Sequence, residues 1–469
     1  MHDEDMADCT KAHGAQAHDT GRGASAPHTN WDDFDFDTRQ VHAGEYPDLN
    51  TGLRVPPIAL SAGYVFDDFD DQVDRFAGRS IDPIYSRQGN PTNGVAEARL
   101  ASLEGGSAAV AVSSGQAAIS SALFALAQGG DRIVSTASIY GGTRILFGRS
   151  FKRFGIETEY VWDTDDDAEW DRAITPNTKA IYTETIPNPR NDVTDLSRIA
   201  AVAARHNLPL VVDNTVGTPA LIRPFEHGAN IVVHSTTKFL TGHGAAVGGA
   251  IVDGGNFDWE AAERAGRSFP LITDVKPGLG SMVDRFGDGA YARATREAVV
   301  NDIGPALSPF NGFLLHQGME TLSLRMARHV DSSLEIAAWL AEQEGVESVD
   351  YAGLPSSPLF DLAARDYGLA SSGLGARTGS VFGVTVRGGL DGARGFVNGL
   401  RIFSRMTGIG DTRSMVIHPM TSTHATFAPE VNERLGITPG LLRLSVGLES
   451  PRDLIADLCE GLSRVARAS

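Results

Sequence analysis

Between Ser107 and Asp253, seven short β-branched or apolar runs recur: AAVAV, RIVS, ETEYV, KAIYTE, PLVVD, NIVVHS and VGGAIV, separated by turn residues and amphipathic stretches. No other feature of the chain restricts its fold as much. Nearly continuous apolar runs that alternate with helices predict a mostly parallel sheet covered on both faces. In such sheets ligands bind beyond the carboxyl ends of the strands. Chemistry is therefore expected in the residues just after each run.

Around this unit the chain divides by composition. Residues 1–30 are polar and acidic, lack the basic start and the apolar stretch of roughly 7 to 15 residues of a secretory signal, and read as a disordered tail. Residues 31–79 form an arm with little periodicity. Residues 80–308 make the large domain, with an inserted or connecting lobe at about 254–303 that is rich in Gly, Arg and Asp. From 309 to 469 a helical pattern opens a smaller C-terminal α/β domain. No run approaches the roughly 18 consecutive apolar residues of a membrane span. A net charge of −19 argues against a general electrostatic grip on nucleic acid or an anionic membrane. Cys9 and Cys459 stand near opposite ends, without zinc-site or redox-dithiol spacing, and the plain reading is a soluble protein of the reducing cytoplasm.

Three segments follow strands and carry candidate chemistry. After AAVAV, Ser113-Ser114-Gly115-Gln116 opens a helix whose free N–H groups and positive dipole end suit a phosphate, although glycine turns are also ordinary connectors. PLVVDNT ends a strand on Asp213, which could be a cap, a metal ligand or the partner of a protonated ring nitrogen. NIVVHS runs into Ser235-Thr236-Thr237-Lys238, two hydroxyls beside an amine able to form a Schiff base with a phosphate-bearing aldehyde.

Lysine scarcity sharpens the last of these. The chain has five lysines against 35 arginines. Lys11 is in the tail, Lys152 sits beside Arg153 in an expected surface helix, Lys179 precedes a strand, and Lys276 precedes Pro277 in the irregular stretch. Only Lys238 follows a buried strand on the expected side, 25 residues after Asp213, about one strand-helix-strand unit. Together the three segments predict a pyridoxal 5'-phosphate site.

The motifs YSRQGNPTN, SSGQAA, YGGT, VVDNT, HSTTKFLTGHG, LSPFNGFLL, GMETLSLRMARH and RLSVGLES resemble those of the cysteine/methionine-metabolism family of pyridoxal-phosphate enzymes, from about Thr38 to the C-terminus. The resemblance implies an α/β fold of the aspartate-aminotransferase type (fold type I). GGAIVDGGNFDW and the stretch after it resemble most the O-acetylhomoserine sulfhydrylase branch.

By position, the resemblance implies that Lys238 bonds the cofactor, Asp213 pairs with its ring nitrogen and Tyr140 stacks on its ring. Gly115, Gln116, Ser235 and Thr237 are implied to hold the phosphate, Ser114 and Thr215 to bind the cofactor, Asn188 to contact its phenolic oxygen, and Arg443 and Tyr85 to bind the substrate, Arg443 at its carboxylate. Tyr85 and Arg87 are implied to reach a neighbouring subunit's site, which makes the protein a homodimer at minimum, and a homotetramer is the fuller expectation.

Two segments depart from the family pattern. Ile58-Ala59-Leu60-Ser61-Ala62-Gly63-Tyr64 lacks the usual aromatic and amide, and Gly408 stands before Ile409-Gly410-Asp411 where sulfhydrylases commonly carry Asn. Both bear on acyl preference.

The implied reaction is γ-replacement, in which O-acetylhomoserine and sulfide, or methanethiol, give homocysteine, or methionine, and acetate. The alternatives on the same site are cystathionine γ-synthase and methionine or cystathionine γ-lyase. His234, His243, His418 and His424 read as hydrogen-bonding groups, and no metal is expected because no spacing gathers three ligands with a carboxylate. GHGAAVGG lacks the order of a dinucleotide fingerprint.

Overall fold

Each of the seven runs becomes a strand: β1 Ala108–Val112, β2 Arg132–Thr136, β3 Glu157–Val161, β4 Thr178–Glu184, β5 Leu210–Asp213, β6 Ile231–His234 and β7 Gly249–Asp253. The computed structural model describes residues 30–45, 52–80, 82–370 and 375–465, so the expected tail, apart from Asn30, lies outside the described residues. The strands form one sheet in the order β1-β7-β6-β5-β4-β2-β3. β2 through β6 pair in parallel, and β7 runs antiparallel to both β6 and β1. Six strands therefore point one way, and their carboxyl ends share an edge. Lys179 lies inside β4 rather than before it, donating to the Ser268 carbonyl at 2.7 Å and facing Asp131 at 3.8 Å.

The two faces of this sheet bury different partners, as apolar runs on both sides require. Val212 and Val232 pack with Leu100 and Leu103 of the helix Pro91–Glu104 and with Met326 of the helix Leu322–Ala341. Val211, Ile231 and Val233 pack on the other face with Ile119 and Leu123 of the helix Gly115–Phe124. That second face is completed by residues 254–303. They are not irregular but a set of short helices, among them Trp259–Arg264, Pro270–Thr273, Met282–Phe286 and Ala290–Ala294. Trp259, Phe269, Ile272 and Tyr291 are buried in the same core as β1 and β6. Helices of four to six residues span one turn or so, too few for an apolar period to show in sequence.

A second, five-stranded sheet of order β10-β11-β12-β9-β8 is built from β8 Val346–Asp350, β9 Val381–Val386, β10 Ser404–Arg405, β11 Met415–Ile417 and β12 Leu441–Ser445. On β12, Leu442 and Leu444 enter the core formed with the helices Gly389–Gly399 and Pro451–Val465. Side chains alternate along a strand, so Arg443 between them projects to the other face. Among the described residues no helix is long and apolar enough to cross a membrane.

Asp253, at the end of β7, ties the short helices to the sheet by accepting N–H bonds from Gly255 and Ala292, both at 2.9 Å. Burial pushes its carboxyl up to about 6 from 3.8. A raised carboxyl binds its proton more tightly in the folded chain, so this group's contribution is fully present below about pH 4 and fades as pH rises through 6. Asp253→Asn keeps an acceptor and removes the titration. Urea unfolding at pH 4.5 and pH 7 should show the variant gaining on wild type at the higher pH, and an equal gap at both would refute the assignment.

Candidate active site

The shared edge of strand ends encloses a cavity of about 250 Å³. Its walls include Ser114, Gly115, Gln116, Tyr140, Asn188, Asp213, Thr215, Ser235, Thr237, Lys238 and Arg443, all expected there from sequence, together with Glu184, Thr407 and Ile409. Lys238 is held in a turn by its own N–H to the Ser235 carbonyl at 3.2 Å. Burial, and then the Arg443 guanidinium, lower its amine below the usual lysine range. Such an amine loses its proton more readily, as imine chemistry and proton transfer both require.

One end of the cavity is built for an anion. Ser114 caps the helix Gly115–Phe124 by accepting the Ala117 N–H at 3.1 Å, which leaves the Gly115 and Gln116 N–H groups at the helix start. Two glycines permit the close approach this needs. A Cβ at Gly249 would stand 2.0 Å from the Ser114 carbonyl oxygen, and one at Gly115 would stand 2.6 Å from the Ser235 Cβ. The Thr215 hydroxyl accepts the Ser235 N–H at 2.8 Å. The Thr237 hydroxyl is engaged with Gly248, donating to its carbonyl at 3.1 Å and accepting its N–H at 3.0 Å.

Two acids line the same cavity. Asp213 accepts the Thr215 N–H at 2.9 Å and the Tyr182 hydroxyl at 3.3 Å. Burial raises its carboxyl, opposed by Thr215 and by His234 behind it. Glu184 is its register partner on β4 and accepts the Tyr140 N–H at 2.6 Å. Behind the strand ends, Glu104 accepts from Asn214 at 2.9 Å and from His234 at 2.6 Å, which makes His234 the hydrogen-bonding group expected of it.

Arg443 closes the cavity. Its guanidinium donates to the Thr407 and Gly408 carbonyls at 2.9 and 3.0 Å and to the Asn188 side-chain oxygen at 3.3 Å. Its Nε has no partner, and burial lowers its pKa to about 10. A buried cation among neutral acceptors suits a ligand carboxylate. A Cβ at Gly408 would come within 2.9 Å of the flexible ends of Met406 and Met415.

These walls fit pyridoxal phosphate. An amine and a carboxylate line the same cavity, with hydroxyls and helix N–H groups, and the buried Gln116 Oε1 has no protein partner. Two expected residues are not brought in. Tyr85 and Arg87 are exposed and line no part of this cavity. Arg87 lies over the Tyr85 ring at 5.5 Å and donates to Asn301. Among the described residues one acid–imidazole group, Glu45, His316 and Glu320, has ligand atoms close together, but Arg99 already pairs with Glu45 at 2.8 Å.

The reading from sequence missed Glu184 and Glu104. Glu184 ends the run KAIYTE at the same edge as Asp213, and counting strand ends would have found it. Glu104 lies 110 residues from Asn214 with no local signal.

Residues 37–463 match the family model described as Cys/Met metabolism PLP-dependent enzyme. The chain is 42% identical over 439 residues to the O-acetyl-L-homoserine sulfhydrylase of Corynebacterium glutamicum, covering 93% of this chain and 99% of that protein. It is 43% identical over 430 residues to the homocysteine synthase of Schizosaccharomyces pombe, covering 91% and 98%. Among solved structures it resembles one assigned as an O-acetylhomoserine (thiol)-lyase from Campylobacter jejuni, which carries a pyridoxyl-lysine phosphate, with TM-score 0.86 and 31% identity over 92% of this chain and 100% of that one. A cystathionine gamma-lyase from Lactobacillus plantarum complexed with L-serine gives TM-score 0.76 and 32% identity over 92% and 100%.

Gly115→Ala places a methyl group against Ser235 and spreads the two segments at the anion end. Pyridoxal phosphate affinity, titrated on the cofactor-free protein, should fall about tenfold or more, the scale of one or two lost charge-assisted hydrogen bonds. Unchanged affinity would show that these segments do not hold the phosphate.

Proposed function

The chain belongs to the Cys/Met metabolism PLP-dependent enzyme family, and we propose that it catalyses γ-replacement, converting O-acetylhomoserine and sulfide to homocysteine and acetate. The observation that carries this reading is one cavity that presents Lys238, Asp213 and a carboxylate-free Arg443 together. The names of the related sulfhydrylases and homocysteine synthases support sulfide as the acceptor, with methanethiol as its alkyl analogue.

Bound pyridoxal phosphate supplies an electron sink for the carbon skeleton of the amino acid. Lys238 would hold the cofactor, and its amine is suited to take the proton from the substrate Cα. The depressed amine suits both roles. Asp213 would hold the proton of the ring nitrogen, Asn188 would meet the phenolic oxygen, and Tyr140 would cover the ring. Ser235, Thr215 and the helix start with Ser114 at its cap would meet the phosphate, whereas the Thr237 hydroxyl, donating to the Gly248 carbonyl, shapes that end without donating to it. Arg443 orients the substrate carboxylate by a bidentate fork, which aims Cα at Lys238. Acetate then leaves from Cγ and sulfide takes its place, with Lys238 and Tyr140 as the proton carriers.

Tyr85 and Arg87 complete the cavity of a second copy. Their exposure, together with exposed Leu60, Val65, Phe69 and Phe76 on the arm, supports a homodimer as the smallest active unit and a homotetramer built from it. The exposed thiol of Cys459 is in keeping with a reducing, cytoplasmic setting.

Lys238→Ala should abolish both homocysteine formation and the visible absorbance of the bound cofactor, and an active variant that keeps the band would refute the assignment. Product analysis separates the rivals, because release of 2-oxobutanoate and ammonia faster than homocysteine would sink γ-replacement in favour of γ-lyase action. Mixing the inactive Lys238→Ala and Arg87→Ala proteins should restore activity, since one cavity of each mixed dimer then has both residues. Mixtures that stay inactive would exclude a shared site.

A further inference from the structure

We propose that Glu184 is a positioning residue of this site, with a carboxyl that stays protonated, anchors the Tyr140 backbone and leaves Asp213 as the sole anion for the cofactor's ring nitrogen. The inference rests on reading the cavity as the pyridoxal phosphate site.

β4 and β5 pair in parallel with Glu184 opposite Asp213, so both side chains stand on one face of the sheet and both line the cavity. Two carboxylates side by side in a closed site cannot both ionise without cations between them. Asp213 from β5, Tyr140 from the turn after β2 and Tyr182 from its own strand interact with Glu184, and Lys238 from the turn after β6 and Arg443 from β12 share its cavity. Neither Lys238 nor Arg443 is paired with Glu184, which is only 4% exposed.

The donors decide which acid holds the proton. Asp213 receives the Thr215 N–H and the Tyr182 hydroxyl, with His234 behind it, whereas Glu184 receives only the Tyr140 N–H. An anion with two donors is the better stabilised of the pair, so the proton stays on Glu184. Burial and the Asp213 charge push Glu184 well above the usual carboxylate range, which agrees with the geometry.

The consequence for Tyr140 is mechanical. Its ring lies against Gly142, where a Cβ would come within 2.4 Å of the ring's Cε1, and its N–H is held by Glu184 at the start of the helix Gly141–Ile145. A neutral carboxyl holds that N–H without placing a second negative charge beneath the cofactor.

Glu184→Gln keeps a neutral acceptor of nearly the same shape, and Glu184→Ala removes it. Cofactor-free wild type and both variants would be titrated with pyridoxal phosphate by tryptophan fluorescence, their Tm measured, and kcat/KM recorded from pH 6 to 9. Glu184→Gln should stay within about threefold of wild type in cofactor Kd and in kcat/KM across that range, because protonation state and hydrogen bond are both retained. Glu184→Ala should lose about tenfold or more in both. A Glu184→Gln protein of unchanged Tm that binds cofactor more than about threefold more weakly would show that the site uses a carboxylate at 184 and overturn the inference. A Glu184→Ala protein that matches wild type would overturn it as well, by removing the positioning role. Wild type that takes up no pyridoxal phosphate would instead overturn the reading of the cavity itself, and the inference with it.

Discussion

The parallel pairing of β4, β5 and β6 is the constraint on which the site depends. Parallel strands carry their carboxyl ends to one edge, so Glu184, Asp213 and the turn that bears Lys238 meet there though they are far apart in sequence. β1 contributes the helix start at Gly115 because β7, inserted between β1 and β6, runs the other way and lets β1 point with the rest. The reversed strand also brings its amino end, Gly248 and Gly249, against Ser114 and Thr237. Side chains at 115 and 249 would force these segments apart, so the anion end exists only because both positions are glycine.

Charge within the site runs against the charge of the whole. The chain carries −19, yet the cavity is lined by a guanidinium and a depressed amine as well as two acids. Surface charge is spread over solvated faces and says little about an enclosed pocket, where desolvation and a few fixed donors decide protonation. Burial pulls Lys238 and Arg443 down and pushes Asp213 and Glu184 up. The shift of Lys238 brings its amine closer to proton exchange, whereas that of Glu184 keeps its carboxyl neutral.

Much of the fold was legible because buried strands announce themselves. All seven runs of the large sheet became strands, and the residues just after five of them line one cavity. Lysine scarcity isolated Lys238 without any structure. The stretch 254–303 shows no period in sequence, since its helices are shorter than the window in which a period can be seen and only packing of Trp259, Phe269 and Tyr291 on the sheet reveals their order. Thr237 illustrates a finer limit: a hydroxyl suited to a phosphate turns out to be engaged on both sides by Gly248.

What the sequence by itself determined is the inventory: strand-forming runs, a helix start after one, an acid and a lysine after others, and motifs that carry the family resemblance. These are local properties, set by side-chain shape and by which residues follow a strand. Only the tertiary structure decided which groups share a wall. It paired Glu184 with Asp213 by strand register, put Glu104 behind His234 and Asn214, left Arg443 without a carboxylate, and kept Tyr85 and Arg87 outside their own chain's cavity. Register joins Glu184 to Asp213 and packing joins Glu104 to residues 110 and 130 positions away, and no spacing along the chain encodes these distances in space.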